Sequence, residues 1–383
     1  MKKILFFNYE YPPLGGGAAN ATKYILKEFS QRNDLEIDLI TSAIGDEYVQ
    51  EQLGENVIIH RLPIGKKPNT LNYQTQGELL KYSWQSFWFA KKLIKKNKYD
   101  LSHSFFAVPC GFISYLLKKQ YKIPYLVSLR GSDVPGYSER FQSLYKIITP
   151  IIHLVWHNAR AVVTNSKGLT ELAQKSDTKQ QFLEIVNGVD INFYKPGLRS
   201  VTDRQKEFRI LLASRLTKRK GFKYAIEAFA KLVKKYPQIT MRIAGGEGNA
   251  TKELKEQVQK LKLEEKIKFT GLYNKDESVE IYNWADVFVM PSLNEGMSNN
   301  LLEALASGLP VLMTPTGGAE ELVNNGKNGY LIKMKNVDSI AKKLELLIKN
   351  PQKCDEFGRV SRKIAEGMSW SSVAEQYVKL YKK

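Results

Sequence analysis

Glu295 and Glu303 stand with seven residues between them in the run Asn294-Glu295-Gly296-Met297-Ser298-Asn299-Asn300-Leu301-Leu302-Glu303-Ala304-Leu305-Ala306-Ser307-Gly308-Leu309-Pro310. A helix start lies between them: Ser298 is a good N-cap, Leu301 to Ala306 are strong helix formers, and Gly308 followed by Pro310 ends the run. Gly296 permits close backbone approach, and the free N–H groups of a helix start attract anions. Carboxylates flanking such a start suit a ligand with hydroxyls on both sides of a phosphate, which is the chemistry of a nucleotide sugar. At about 100° per residue, Asn299, Asn300 and Glu303 share one stripe and Leu301, Leu302, Leu305 and Ala306 the other. The polar stripe carries no Lys or Arg in a chain with 58 of them. Either it looks onto a cleft, or Glu303 is an ordinary exposed helix residue.

Cations gather at a second place. Arg215, Lys218, Arg219 and Lys220 precede Gly221 in a loop that leaves an apolar run and enters a helical one. Such a loop is either solvated or, with a glycine and a helix start beside it, a phosphate site. Gly245-Gly246-Glu247-Gly248 and Thr316-Gly317-Gly318 follow neighbouring apolar runs and put glycines on the same edge. Near the amino terminus Gly15, Gly16 and Gly17 sit where a dinucleotide fold places its phosphate loop, yet the third fingerprint position is Asn20, which argues against a nicotinamide cofactor. This loop is either a plain turn or a close approach to ligand.

The elements that must position these residues alternate. Strands are predicted at Ile4–Asn8, Ile37–Thr41, Val57–Arg61, Leu101–His103, Tyr125–Ser128 and Ala161–Thr164, with helices at Ala18–Ser30 and Glu78–Lys96. After the turn Asn187-Gly188-Val189-Asp190 and a polar stretch beginning Lys195-Pro196-Gly197, alternation restarts: strands Arg209–Ser214, Thr240–Ala244, Ile267–Thr270, Val287–Met290, Pro310–Met313 and Tyr330–Ile332, with helices Lys223–Lys235 and Lys252–Lys260. This pattern means parallel sheets covered by helices, whose ligands lie beyond the carboxyl ends of the strands. The domain boundary is expected at residue 195.

Composition agrees with a globular chain: 383 residues suggest two domains, and hydrophobic content is 43%. Cys110 and Cys354 are distant in sequence and without metal spacing. The basic start Met1-Lys2-Lys3 precedes only four apolar residues, so it reads as a strand rather than a leader. The net charge is +19, with 25 Lys and Arg against 17 Asp and Glu in residues 1–195 and 33 against 22 in the remainder. The charge is spread over both halves with no nucleic-acid motif, so no nucleic-acid partner is expected.

These motifs resemble those of the family 4 retaining glycosyltransferases, along essentially the whole chain. The resemblance implies an α/β GT-B fold, two facing Rossmann-like domains with parallel sheets and an interdomain cleft. Residues 1–195 would be the acceptor-side domain and 196–367 the nucleotide-sugar-binding domain, with 368–383 a helix crossing back to the first. Arg215 and Lys220 would hold the donor diphosphate, Glu295 would contact sugar hydroxyls near the reacting carbon, and Glu303 would accept from the ribose. Gly15, Gly16, Gly17, Gly246, Gly296, Met297, Ser298 and Asn299 would complete the donor site. No cofactor and no metal are expected. Many members carry a His where this chain reads Ser128-Leu129-Arg130-Gly131-Ser132-Asp133. Arg130 cannot act as a base; it binds a phosphate or acidic acceptor, or braces Asp133. His103 is either structural or a candidate acceptor contact.

The expected activity is transfer of a hexosyl or N-acetylhexosaminyl group, from a UDP-sugar in preference, to a glycan or lipid-linked acceptor in envelope polysaccharide or glycolipid synthesis in the cytoplasm. A GT-B-fold epimerase or hydrolase is the alternative enzyme, and a basic nucleic-acid-binding protein the non-enzymatic one. Leu80, Trp84, Phe87, Trp88 and Ile94 fall within one helical arc followed by lysines at 91, 92, 95, 96 and 98. That pattern fits either peripheral docking on an anionic membrane or aromatics packed on the sheet.

Overall fold

Apolar residues run without a break from Ile4 to Phe7 because helices cover both faces of the first sheet. Ile4 and Phe6 pack with the helix Gly17–Phe29 and the last helix, Trp370–Lys382, whereas Leu5 and Phe7 pack with the helices Gln76–Lys96 and Phe112–Tyr121. The computed structural model describes residues 1–68, 70, 71, 73–137, 142–295, 297–316 and 318–382. The chain divides into two units, residues 1–188 with 370–383, and residues 189–369.

The first unit carries β1 (Lys2–Phe7), β2 (Leu35–Ala43), β3 (Val49–Leu53), β4 (Val57–Pro63), β5 (Leu101–Phe105), β6 (Tyr125–Ser128), β7 (Ala161–Thr164) and β8 (Phe182–Glu184) in the order β3-β4-β2-β1-β5-β6-β7-β8. All neighbours are parallel except β3, which runs antiparallel to β4 at the edge. The sequence pattern does not announce β3, because Val-Gln-Glu-Gln-Leu lies almost wholly exposed. The helix Gln142–Asn158, which carries Pro150, also lacks a clear sequence signal.

The second unit carries β9 (Phe208–Ala213), β10 (Ile239–Ala244), β11 (Ile267–Gly271), β12 (Val287–Met290), β13 (Val311–Met313) and β14 (Gly329–Leu331), ordered β11-β10-β9-β12-β13-β14 and parallel throughout. Strand order therefore reverses between β9 and β12. Loops leaving the carboxyl ends of these two strands diverge to opposite faces of the sheet, and the crevice between them is where an open α/β sheet takes its ligand. The helix Phe222–Val233 that follows β9 buries Phe222, Ala225, Ile226, Phe229 and Leu232 at a helical spacing.

Candidate active site

The loops after β9 and β12 are joined at the crevice by backbone contacts that only glycine allows. Gly221 has φ +65, and a Cβ there would lie 2.1 Å from the Pro291 carbonyl oxygen. Gly245, after β10, has φ +140, and its Cβ would lie 2.0 Å from the Ser214 oxygen. Leu293 N–H donates to the Arg219 carbonyl at 2.8 Å, Leu216 N–H to the Gly246 carbonyl at 2.9 Å, and Thr314 Oγ1 to the Ser292 carbonyl at 2.5 Å. The ends of β9, β10, β12 and β13 thus form one hydrogen-bonded rim.

On this rim the structure brings Lys220 and Glu295 together. Lys220 Nζ donates to Glu295 Oε1 at 2.5 Å and Ser292 Oγ donates to the same oxygen at 2.8 Å. Both side chains are buried. The pair fixes the carboxylate with a hydroxyl and an ammonium, while the ammonium, which has three N–H donors, keeps capacity for a further anion. Arg215, five residues upstream in the same loop, is exposed and forms no ion pair among the described residues. The rim therefore combines an uncommitted guanidinium with a buried ion pair at the strand-order reversal.

The helix Asn299–Ala306 starts here as the sequence predicts. Ser298 Oγ caps it by accepting from Leu301 N–H at 3.3 Å, and Leu301, Leu302, Ala304, Leu305 and Ala306 are buried. Gly308, at φ +69, ends it. Met297 packs on Gly318, whose Cβ would lie 2.8 Å from the Met297 sulfur. Gly296 and Gly317 lie outside the described residues.

The cation-free stripe meets tyrosines of the same unit. Tyr282 OH donates to Glu303 Oε2 at 2.8 Å, and Asn300 Nδ2 donates to Tyr273 and Tyr282 at 3.2 and 3.3 Å. Burial pushes the Glu303 carboxyl up to about 7, opposed by hydrogen bonds from Tyr282 and Tyr194 and by the Lys275 charge. Glu303 is only partly exposed, so the reading of an idle surface residue is corrected. Ser292 and the three tyrosines join the candidate site without having been flagged by the motifs; only Tyr282 lies on a helix, Lys275–Trp284, and the others lie in loops whose local pattern gives no reason to single them out.

In the first unit the glycine loop holds a protein carboxylate. Gly15 has φ +92, a Cβ there would lie 2.6 Å from Glu10 Oε2, and Gly16 N–H donates to that oxygen at 3.4 Å. Burial raises the Glu10 carboxyl above its ordinary range against this N–H. Gly17 begins the following helix.

His103 and Asp133 present no free group to an acceptor, which fits the structural reading of His103, whereas Arg130 is half-buried and keeps N–H donors, Nε among them, beyond the two bonds it makes. His103 is fully buried, with Nδ1 bonded to Tyr381 OH at 2.7 Å and Nε2 to Ser128 Oγ at 2.8 Å. Burial, with the Arg130 charge, holds its ring well below the usual histidine value. Arg130 donates to Asn187 Oδ1 and Tyr377 OH, both at 3.0 Å, with its guanidinium 3.6 Å from the Phe105 ring centroid. Asp133 is buried and accepts backbone N–H from Ala107, Arg130 and Gly131. It shapes the loop backbone rather than pairing with the guanidinium. All three side chains tie the first unit together, His103 and Arg130 through the tyrosines of the last helix.

A cavity of about 510 Å³ opens at the opposite, amino-terminal edge of the second sheet, beside Arg199, Arg204, Asp286 and Ser307. Arg199 and Arg204 pair with Asp286 at 3.3 and 3.0 Å and Arg204 with Asp355 at 2.8 Å, while Arg199 Nη1 has no hydrogen-bond partner among the described residues.

Comparison with known proteins covers both units. The model of the group 1 glycosyl transferases matches residues 198–364, and that of glycosyltransferase family 4 matches residues 15–193. An uncharacterized glycosyltransferase of Methanocaldococcus jannaschii is 28% identical over 99% of this chain and 98% of its own. Sucrose-phosphate synthase from Thermosynechococcus elongatus superposes with TM-score 0.84 at 20% identity, over 100% of this chain and 98% of that one. HepE of Anabaena, solved with UDP and glucose, does so with TM-score 0.76 at 21% identity over 100% of both chains. The structural likenesses carry the fold, and the two models lie end to end along the sequence: the chain belongs to the family 4, group 1 glycosyltransferases of GT-B fold.

Proposed function

We propose that this glycosyltransferase is a retaining enzyme that takes its sugar from a nucleoside-diphosphate donor, a UDP-sugar in preference, and passes it to a glycan or lipid-linked acceptor. The observation that carries the reading is the Lys220–Glu295 pair at the strand-order reversal, with Arg215 exposed in the same loop. UDP is favoured because HepE of Anabaena, of the same fold, is solved with UDP and glucose.

Charge grows on the departing diphosphate as the bond to the anomeric carbon breaks. Arg215, Lys220 and the start of the helix Asn299–Ala306 supply donors fixed before the reaction begins, which lowers the barrier where that charge develops. Glu295 accepts from hydroxyls of the sugar, and Glu303 from those of the ribose. The acceptor oxygen bonds to the anomeric carbon on the face the diphosphate leaves, and the acceptor proton passes to the departing phosphate oxygen. The two cations carry the neutralisation that a metal would otherwise supply.

Calorimetry with UDP, ADP and GDP is expected to give tightest binding for UDP. Proton NMR of the transfer product is expected to show the donor's anomeric configuration. An inverted product sinks the retaining reading, and release of free sugar with no acceptor dependence makes the enzyme a hydrolase.

A further inference from the structure

The helix Gln76–Lys96 turns its heaviest aromatics away from the protein. A capping box fixes its start: Thr75 Oγ1 accepts from Glu78 N–H, Glu78 accepts from Thr75 N–H, and Lys66 pairs with Glu78 at 3.1 Å. Tyr82, Ser86 and Ala90 are its buried line, and Tyr82 OH bonds to the Ile40 carbonyl at 2.9 Å, which sets the rotation of the helix on the sheet. The opposite line therefore points to solvent. Leu80 is 72% exposed, Trp84 69% and Trp88 44%. The alternative that these aromatics pack on the sheet holds only for Phe87 and Ile94, which rest half-buried against the core.

Cations frame this line. Lys91 Nζ lies 4.5 Å from the Trp88 ring centroid, and Trp84 and Trp88 meet edge to face at 5.7 Å. Lys81, Lys92, Lys95, Lys96 and Lys98 are exposed, and none of these six lysines forms an ion pair among the described residues. Glu78 is the one acid on the helix, and it is engaged by Lys66. A ridge of indoles continued by Lys91 and Lys95 and bordered along one flank by Lys81, Lys92 and Lys96, all uncompensated, lacks the acid that a self-complementary contact would need. Its chemistry matches the headgroup boundary of an anionic bilayer, where indole rings settle and lysines meet lipid phosphates.

We propose that Leu80, Trp84 and Trp88, with Lys81, Lys91, Lys92, Lys95 and Lys96, dock this chain on the surface of an anionic membrane. The helix lies along the interface with its tryptophans in the headgroup layer, while the chain stays outside the bilayer: no helix among the described residues is long and apolar enough to cross it. Docking does not depend on the identity of the donor, and it gives a lipid-linked acceptor a surface on which to meet the enzyme.

The full chain is tested by cosedimentation with vesicles of phosphatidylcholine, alone or mixed with phosphatidylglycerol, at low and high salt. Binding is expected to the mixed vesicles only, to weaken with salt, and to shift tryptophan emission to shorter wavelength. Trp84→Ser with Trp88→Ser is expected to reduce binding by roughly tenfold or more, and Lys91→Gln, Lys92→Gln and Lys95→Gln together are expected to remove the anionic preference. These positions lie on the outward face, and nucleotide binding measured without vesicles reports that each variant is folded. Failure to sediment at low salt overturns the proposal, as do binding unaffected by the tryptophan changes, equal binding to neutral vesicles, and a soluble dimer that the tryptophan changes dissolve. None of these outcomes alters nucleotide affinity, which tests the donor assignment separately.

Discussion

Lys220 Nζ and Glu295 Oε1 meet at 2.5 Å across two loops that leave neighbouring strands, 75 residues apart in sequence. Removing either partner leaves a buried charge uncompensated. Lys220→Ala is expected to destabilise the second unit by about 3–5 kcal/mol. The double variant Lys220→Ala with Glu295→Ala should cost less than the sum of the singles, because it leaves no orphan charge. Urea unfolding of the four proteins reads the coupling, and additive losses would show that the pair is not formed in solution. Activity should vanish in all three variants.

Arg215 makes the opposite prediction. Being exposed and without an ion pair among the described residues, it supports little of the fold, and Arg215→Ala should change stability by less than about 0.5 kcal/mol. If it holds the diphosphate, the same change weakens UDP binding by about 1.5–3 kcal/mol while leaving uridine binding unchanged. Calorimetry with both ligands separates a phosphate contact from a surface charge; equal effects on the two would exclude the contact.

Glu303 links donor binding to pH. Its carboxyl is pushed up from 4.5 to about 7 by burial. The folded chain therefore holds a proton that the unfolded chain releases above about 4.5. The stability this proton contributes is complete below pH 4.5 and is lost as pH rises to about 7, a change of at most about 3 kcal/mol for this partly exposed group. Glu303→Gln should flatten that slope. A carboxylate that accepts from ribose hydroxyls works best when ionised, so wild-type nucleotide affinity should rise as pH passes through 7, and Glu303→Gln should remove the rise. A pH-independent affinity in the wild type would count against the ribose contact.

The local grammar of the site was open to sequence reasoning and its long-range partners were not. Ser298 as a cap, the buried face of Leu301, Leu302 and Leu305, and the stop at Gly308 all rest on propensities read within a few residues. Strands Tyr125–Ser128 and Ala161–Thr164 match to the residue, since a buried parallel strand is a short apolar run with sharp ends. His103 carries no such local sign of its role, because its partner Tyr381 lies 278 residues away and joins it only when the last helix packs on the first sheet. The tyrosines on Glu303 were hidden for the same reason. Spacing placed Trp84 and Phe87 in one arc, but only the rotation fixed by Tyr82 decides which of them is covered.

Tyr377 tests the structural reading of Arg130. Its hydroxyl accepts from Arg130 Nη2 at 3.0 Å and lies 3.1 Å from Ser128 Oγ. Tyr377→Phe removes an acceptor from a half-buried guanidinium, at an expected cost of about 1–3 kcal/mol. Thermal unfolding should show the loss while kcat and the acceptor KM stay near wild type. A large rise in acceptor KM with unchanged stability would return Arg130 to the acceptor site.

The glycines of the rim make the last test, since here the steric demand can be separated from the backbone angle. Gly326 has φ +81 and nothing within 4 Å of its would-be Cβ. Gly326→Ala should therefore cost only the left-handed penalty, about 1–2 kcal/mol. Gly245 and Gly221 carry the same kind of angle, but their Cβ atoms would sit 2.0 and 2.1 Å from carbonyl oxygens of the neighbouring loops. Gly245→Ala must force the loops after β9 and β10 apart, and Gly221→Ala those after β9 and β12, which carry Lys220 and Glu295. Both should exceed the Gly326→Ala cost clearly, and Gly221→Ala should in addition weaken nucleotide binding out of proportion to its effect on stability. Thermal unfolding and calorimetry on the three variants read both quantities. If Gly221→Ala binds UDP like Gly326→Ala, the seam between these loops does not position the donor site.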